Sequence, residues 1–592
     1  MVNGSIKEEM LIADIIEQYP STKEVFEKYG VCSGGIMPRE TLGFFARAHQ
    51  IELQMILAEL NNASRRPHST KNEATVPGES IGEALWRRFF KSGIILGFIG
   101  WTFGAINLAY IAFNRSYFEL PIHVILSHAH LQIFGWVGLF VMGFAYQAFP
   151  RFKFVSLWNP RLAMLSFWIM LLSILITALS WALLPSKLFF VLGILGSFLE
   201  LIGISIFLLV MVKTMNQAMG KRQFWEKYVF TALMLFLIQA IFNPLSFYLV
   251  GDASLKGNMS LLIGRVAGFI APYQDVQLFG FITMMIFGVS QRFIPFVFNI
   301  KEPSKRLGDF SFYTLFISIF LALSINILTH SYGLKSLRPF ILIPYTGLLV
   351  SSVGVIINAG VLGRAKAPTR ELKFIRAAYV WLVISILLLL ILPFYSQFIL
   401  GAFSHNYFGA YRHALTVGFI SLMIMGVAAK VTPIMSGIEP RNALLIPFIL
   451  VNVGNVVRVA SQILSDFQGV MSNSLAAWNG FFLASSGFIQ VIGFSLWAYD
   501  IWGTANEGIR LQKERSLPTG RPDRVEKFMK VGEVLNYYPQ LEEVFLKFGF
   551  KDITNPVLRR TVARTITLEM ACRMHSVNID EFLHQLNSRI KG

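Results

Sequence analysis

Two histidines lie near the start of an apolar stretch that is long enough to cross a lipid bilayer. They are His128 and His130, in SHAHLQIFGWVGLFVMGFAYQAFPR at residues 127–151. An imidazole inside a membrane-spanning segment is costly unless it has a partner or binds a ligand. Neutral imidazole is a common axial ligand of haem iron, and a bundle of apolar helices supplies the slot that haem needs. The residue types therefore point first to haem ligation.

The glycine and proline pattern of this stretch recurs twice along the chain. Glycines at relative positions 0 and +8 and a proline at +15 occur as Gly135, Gly143 and Pro150, as Gly280, Gly288 and Pro295, and as Gly418, Gly426 and Pro433. Five residues before the first glycine, the copies hold His130, Asp275 and His413. We expect His130 and His413 to be the ligand pair. His128 is the alternate, because residues two apart on a helix point to nearly opposite sides.

The composition places these copies in an all-α polytopic membrane protein. The chain has 592 residues, of which 54% are hydrophobic and 15% charged, and its mean hydropathy is +0.56. Apolar runs of spanning length lie at residues 92–113, 124–148, 162–183, 188–212, 228–250, 273–297, 310–328, 339–361, 374–395, 411–433, 444–465 and 475–501. Because successive copies are four runs apart, we expect twelve transmembrane helices in three four-helix pseudo-repeats.

The basic residues indicate membrane orientation. The net charge of +18 could indicate nucleic-acid binding, but Lys and Arg are concentrated in the short loops that follow even-numbered spans. By the positive-inside rule, both termini face the cytoplasm. We therefore expect a multi-pass protein of a bacterial-type cytoplasmic membrane, with no nucleic acid as partner, and the histidines of spans 2 and 10 near the outer face.

Polar segments flank the membrane body. We expect a small helical domain at residues 1–61, a linker at 62–91, the membrane domain at 92–501, a second linker at 502–527 and a second small domain at 528–592. IADIIEQYPSTKEVFEKYG in the first small domain aligns with VGEVLNYYPQLEEVFLKFG in the second. The two cysteines, Cys32 and Cys572, lie in these polar ends and are too isolated for a CxxC metal site.

Charged residues near the histidines could assist a haem. Arg412, Arg458 and Arg265 fall near the same ends of their spans, where they could bind the propionates by charge-assisted hydrogen bonds. The alternative for Arg412 and Arg265 is snorkelling to the membrane interface. Glu200, in the middle of span 4, either belongs to a proton route or bonds a neighbouring helix.

The three copies carry a family resemblance. HAHLQIFGWVGLFVMGFAYQAFPRF, DVQLFGFITMMIFGVSQRFIP and RHALTVGFISLMIMG resemble the NnrS-type family, membrane haem proteins linked to the bacterial nitric-oxide response. With histidines on spans 2 and 10, the chain also resembles subunit I of the haem–copper oxidase and nitric-oxide reductase superfamily. These resemblances imply a b-type haem, and copper in some members. The terminal domains resemble a small helical domain associated with hybrid-cluster proteins, whose cysteine pair is reduced here to Cys32.

The departures from the oxidase pattern limit what carries over. Span 10 of that superfamily has His-x-His, whereas this chain has Tyr411-Arg412-His413, so only the low-spin haem ligand corresponds. Span 6 has no histidine and span 7 has only His330 at its outer end, so copper stays unassigned. Any enzymatic role is therefore open.

The leading hypothesis is a haem protein that binds or handles nitric oxide or a related species, with a haem between spans 2 and 10. The protein would lie in the lipid bilayer, and its terminal domains would bind an electron donor or a cytoplasmic protein partner. The alternatives are a divergent oxidoreductase that reduces nitric oxide or oxygen, and a cofactor-free twelve-span transporter.

Overall fold

The protein, described by a computed structural model, consists of helices joined by short connections. The structure describes the chain except residues 1–4, 30–40, 49–50, 66–80, 117–118, 154, 219–221, 299, 301, 366–368, 437, 439–440, 517–521, 523, 551–552, 554–562, 564–565, 576 and 592. In the described part, β structure is limited to two isolated bridges. The chain divides into two compact units, Met1–Ile509 and Arg510–Gly592.

Among the residues that the structure describes, twelve helices are long and apolar enough to span a membrane, as the sequence predicts. Spans 1 to 12 are Leu85–Asn114, Ile122–Lys153, Pro160–Ala182, Lys187–Met215, Phe224–Leu255, Met259–Pro295, Lys305–His330, Lys335–Asn358, Arg370–Leu400, His405–Ser436, Leu445–Val470 and Asn473–Leu511. A helix pairs its backbone groups within itself, which a bilayer core without water requires. The all-α, multi-pass architecture is confirmed.

The helices extend into both expected linkers. The helix of span 1 is Ile81–Asn114 and that of span 12 is Asn473–Ser516, so each continues beyond its apolar run. Lys91 Nζ donates to Asn506 Oδ1 at 2.7 Å and lies over the Trp502 ring, which ties these two extensions together.

Spans 2, 6 and 10 form the interior of the bundle. The buried share of their most apolar windows is 61%, 94% and 78%, against 33–56% for the other nine spans. These three helices carry the recurring glycine and proline pattern. Its polar members, His130, Asp275 and His413, are therefore on the helices that other helices surround.

Each of these three helices contains a π-helical segment at the same place in the pattern. The segments are Leu131–Gly138, Val276–Thr283 and Ala414–Ser421. Each begins directly after the residue that we singled out: His130, Asp275 or His413. π-Helical turns are rare and frequently occur at functional sites. Three at matching positions support the proposal of three repeated units.

The two terminal segments have the same succession of elements. The first has helices Ile12–Gln18, Lys23–Lys28, Leu42–Ala48 and Leu53–Ser64, and the second has Val531–Tyr537, Glu542–Lys547, Leu568–His575 and Ile579–Lys591. In each, a short 3₁₀ turn starting at a proline separates the first two helices. The isolated bridges Leu11–Thr41 and Lys530–Thr567 also correspond. These features support the prediction that the segments are copies of one domain.

The thiol of Cys572 is buried in the core of the second unit, where it is 1% exposed. Burial raises the pKa of Cys572 to about 11. The thiolate is the nucleophile, so in a Cys32→Ser protein Cys572 should resist iodoacetamide at pH 8 and react only as the pH approaches 11 or after unfolding. Labelling at pH 8 as fast as in the denatured protein would contradict this burial. Cys32 itself lies outside the described residues.

Candidate functional site

The start of span 10 is fixed by contacts with the end of span 11. Ser404 caps the helix, its Oγ accepting from the Tyr407 backbone N–H at 2.8 Å. Asp466, in the last turn of span 11, accepts hydrogen bonds from Ser404 Oγ at 2.6 Å, Tyr395 OH at 2.9 Å and Asn406 Nδ2 at 2.8 Å. Because Tyr395 belongs to span 9, these three hydrogen bonds join the ends of spans 9, 10 and 11 and set the depth of span 10 against span 11.

Span 2 is held against spans 3 and 10. Ser127 Oγ donates to the Ala178 carbonyl of span 3 at 2.7 Å. Trp136 Nε1 donates to Ser421 Oγ of span 10 at 3.3 Å, and Ser421 Oγ donates to the Thr416 carbonyl at 3.0 Å. Trp136 and Ser421 both lie in the π-helical segments, so these segments of spans 2 and 10 face one another.

His413 of span 10 has both ring nitrogens engaged. Nδ1 lies 2.8 Å from the Gly409 carbonyl, and Nε2 lies 2.9 Å from Nη2 of Arg458. Because a carbonyl only accepts and a guanidinium only donates, Nδ1 carries the hydrogen and Nε2 carries the lone pair. The Arg458 side chain is buried, and its Nε donates to Gln462 Oε1 at 3.4 Å. Span 11 thus directs a buried guanidinium to the face of His413 that would bind a metal.

His128 of span 2 has the same tautomer and lies in the same region. Its Nδ1 donates to the Gly100 carbonyl of span 1 at 2.9 Å. Its ring packs on Gly104, where an added Cβ would come within 2.4 Å of Cε1. His128 is close enough to His413 and Arg458 to interact electrostatically with both. His128, the alternate ligand of the sequence analysis, therefore lies within electrostatic range of His413.

His130 points toward span 4. Its Nε2 lies 2.6 Å from Oε1 of Glu200, and both side chains are buried. The His130 ring also packs beside Phe134, with the centroids 4.8 Å apart. Two residues on a helix are about 200° apart around the axis, so His128 and His130 face different neighbours. The structure pairs His130 with Glu200 and places His128 near His413.

Two of the three predicted arginines have acidic partners. Arg412 Nη2 lies 2.8 Å from Asp275 Oδ1, and Tyr411 OH donates to the same oxygen at 3.2 Å. Arg265 Nη1 lies 2.8 Å from Asp252 Oδ2. Arg412 therefore joins spans 10 and 6, and Arg265 joins spans 6 and 5. Arg458 is the predicted arginine that contacts a candidate ligand histidine.

The polar residues form three clusters that correspond under the repeat. The residues two positions before His130, Asp275 and His413 are His128, Tyr273 and Tyr411. Each residue of the triplet His130, Asp275 and His413 is linked to a residue of the triplet His128, Tyr273 and Tyr411 that belongs to a different copy. Asp275 accepts a hydrogen bond from Tyr411, His413 lies within electrostatic range of His128, and His130 is linked to Tyr273 only through Glu200 and Asn243.

Sequence reasoning missed several members of these clusters. Asn243 donates to Glu200 Oε2, and Tyr345 interacts electrostatically with Asp275. One signal was available, since Tyr273 lies 145 residues after His128 and Tyr345 lies 145 residues after Glu200, the interval between the first two copies. No comparable signal marks Asn243.

Two cavities adjoin these clusters, each with room for about one or two water molecules. One is lined by His130, Asn243, Ser246, Tyr273 and Gln277 among others. The other is lined by Asp275, Tyr345, Asn326 and apolar side chains. Within the described residues, no three or more His, Cys, Asp or Glu side chains converge as a metal site.

The comparison with protein families covers this whole assembly of spans. Residues 86–504 match the family model described as NnrS protein. The chain belongs to the NnrS family. The match includes every helix that carries a candidate ligand, which confirms the resemblance drawn from the three copies. Residues 526–583 match a second model, a domain of unknown function termed DUF1858. None of the curated proteins matches the chain.

Proposed function

We propose that this NnrS-family membrane protein binds a haem between spans 2 and 10 and handles nitric oxide or a related species through it. One observation carries the proposal. His128 and His413 are both partly buried on spans 2 and 10, which contact one another through Trp136 and Ser421, and each donates Nδ1–H to a backbone carbonyl. Metal-binding histidines typically fix their tautomer in this way, which leaves Nε2 for the metal.

The surroundings of the two imidazoles fit this role. The Gly100 and Gly409 carbonyls set the ring tautomers, and the missing side chain at Gly104 makes space for the His128 ring. A bound haem would supply an iron centre for electron transfer or for binding a small ligand. His128 and His413 would therefore be the residues that hold the haem iron through Nε2.

Arg458 has a second role in this proposal. Its guanidinium donates to the His413 Nε2 lone pair, which would be used to bind iron, so the guanidinium has to turn away when haem binds. An anionic propionate would offer the guanidinium charge-assisted hydrogen bonds. Arg458 thus donates to Nε2 of His413 in the structure. With haem bound, the same guanidinium would bind a haem propionate.

Orientation and partners complete the proposal. The excess of Lys and Arg in the loops after even-numbered spans supports cytoplasmic termini in a bacterial-type cytoplasmic membrane. The sites on spans 2, 6 and 10 then lie toward the outer face, and the terminal domains face cytoplasmic partners such as an electron donor. The twelve spans, with histidines on spans 2 and 10, agree with the resemblance to subunit I of the haem–copper superfamily.

A divergent oxidoreductase is the second candidate, and the cluster around Asp275 favours it. Tyr411 and Arg412 both contact the Asp275 carboxylate, and Tyr345 lines the same water-sized cavity. A phenol, a carboxylate and a cavity with room for water are groups that can deliver protons to a small substrate.

Addition of nitric oxide to the dithionite-reduced protein in mild detergent separates these proposals. We expect a sharp low-spin absorption spectrum whose bands shift with about one equivalent of nitric oxide per haem, since one axial histidine can yield its position. A low-spin spectrum that stays unchanged would remove the handling of nitric oxide and leave the haem. A colourless protein would remove both, and consumption of many equivalents with an electron donor would favour the oxidoreductase.

A further inference from the structure

The contact between His130 and Glu200 has unusual geometry for two buried polar groups. Nε2 of His130 and Oε1 of Glu200 are 2.6 Å apart, and their side chains are 4% and 0% exposed. The two atoms are not aligned as a hydrogen bond, and neither has another hydrogen-bond partner. A buried polar atom without a partner is costly. An imidazole nitrogen and a carboxylate oxygen that lie close together without pointing at one another can both bind a single metal ion.

The Glu200 carboxylate is held in place from its other side. Oε2 accepts a hydrogen bond from Asn243 Nδ2. Asn243 Oδ1 in turn lies 3.4 Å from Tyr273 OH, which also lies 3.2 Å from the Gln239 carbonyl. Hydrogen bonds to the second carboxylate oxygen are the usual outer-shell support of a metal ligand. The network leaves Oε1 directed at His130.

The charge and the space at this place favour a cation. Among the described residues, no Lys or Arg pairs with Glu200, whose partners are His130 and Asn243. An uncompensated carboxylate inside a helical bundle is expensive. The adjoining cavity, lined by His130, Asn243 and Tyr273, has room for about two water molecules. Water could therefore supply the remaining ligands.

We propose that His130 and Glu200 bind one divalent first-row transition metal ion, completed by water from the cavity. Imidazole with carboxylate is a donor set that suits such ions. The site is separate from the haem site on the opposite side of span 2. It also accounts for His130, the only histidine of the three recurring positions that the haem assignment does not use. The positive charge of the ion would balance the negative charge of the Glu200 carboxylate.

Metal analysis of the purified protein tests this inference without any activity assay. Protein equilibrated with Zn²⁺ or Co²⁺ and freed of excess ion should retain about one non-haem equivalent, and Glu200→Gln and His130→Ala should lower this at least about tenfold. The Gln variant keeps an acceptor for Asn243, so its fold is preserved. His128→Ala is the matched control on the same helix: it should lose haem and keep the ion.

The outcomes separate this site from the haem site. Co²⁺ absorption together with X-ray absorption of the wild-type protein should show nitrogen and oxygen ligands with a single imidazole. Retention of the ion in both Glu200→Gln and His130→Ala, or no bound ion in the wild-type protein, overturns the inference. A first shell with sulfur or with several imidazoles overturns it as well, even if the variants fail to fold. Loss of haem in the His128 variant alone bears only on the haem.

Discussion

His128→Ala and His413→Ala proteins should each contain less than about a tenth of the wild-type haem, whereas His130→Ala should retain it. Each of the first two changes removes an axial ligand, and loss of an outer-shell partner alone typically costs 10–100-fold in metal affinity. His130 is directed to Glu200 on span 4, so its removal leaves both axial positions intact. The measurement is the ratio of haem to protein after purification in mild detergent.

His123 offers a matched control for this series. It lies on span 2, and its Nδ1 contacts the Trp181 carbonyl at 3.1 Å, so it resembles His128 in its hydrogen bond but faces span 3. His123→Ala should keep the wild-type haem content. If His130→Ala lost haem and His128→Ala kept it, the ligand pair would be His130 and His413, and our assignment of span 2 would be wrong.

Arg412→Leu should destabilise the protein by about 3 kcal/mol, because its ion pair with Asp275 is largely shielded from solvent, with side chains 12% and 28% exposed, and breaking a shielded pair leaves an uncompensated charge. Its guanidinium lies 2.8 Å from the Asp275 carboxylate and stacks near the Phe408 and Tyr411 rings. Asp275→Asn in the Arg412→Leu background should recover part of the loss, since the amide removes the unpaired charge. The measurement is the free energy of unfolding in detergent for the two single variants and the double variant.

An exposed ion pair supplies the control. Arg573 lies 3.3 Å from Glu569 on the surface of the second unit, and Arg573→Leu should cost less than about 1 kcal/mol. Equal losses for Arg412→Leu and Arg573→Leu would show that the contact between spans 6 and 10 is not a buried ion pair. Simple additivity in the Arg412 and Asp275 variants would show that the two side chains are not coupled.

The number and order of the spans could be read from the sequence, because the length of an apolar run sets whether a helix can cross a bilayer. The first and last residues of each span were harder to predict from the sequence. Span 6 was expected to start at residue 273, but the helix begins at Met259. Arg265 and Pro272 lower the hydropathy of this stretch, which hid the start of the helix from the sequence. In the structure Arg265 pairs with Asp252. The π-helical segment Val266–Ile270 lies just before Pro272, and the helix is continuous through both.

The sequence singles out positions for the candidate site, but it does not decide which of their side chains face one another. The repeat identified His130, Asp275 and His413, and each lies on an interior helix at the start of a π-helical segment. The sequence does not fix how far each helix is rotated about its axis, since packing against neighbours decides that. Whether His128 or His130 faces span 10 depended on this rotation. The role of Asp466 in holding span 10 was equally hidden, because it rests on contacts about sixty residues apart.

Electron paramagnetic resonance of the oxidised wild-type protein, with haem and protein quantified in the same sample, tests the central claim most directly. The account predicts about one haem per chain with the low-spin signal of two axial imidazoles. A protein isolated without haem, or with a haem that is high-spin in its resting state, would contradict the assignment of His128 and His413 as the pair that binds it.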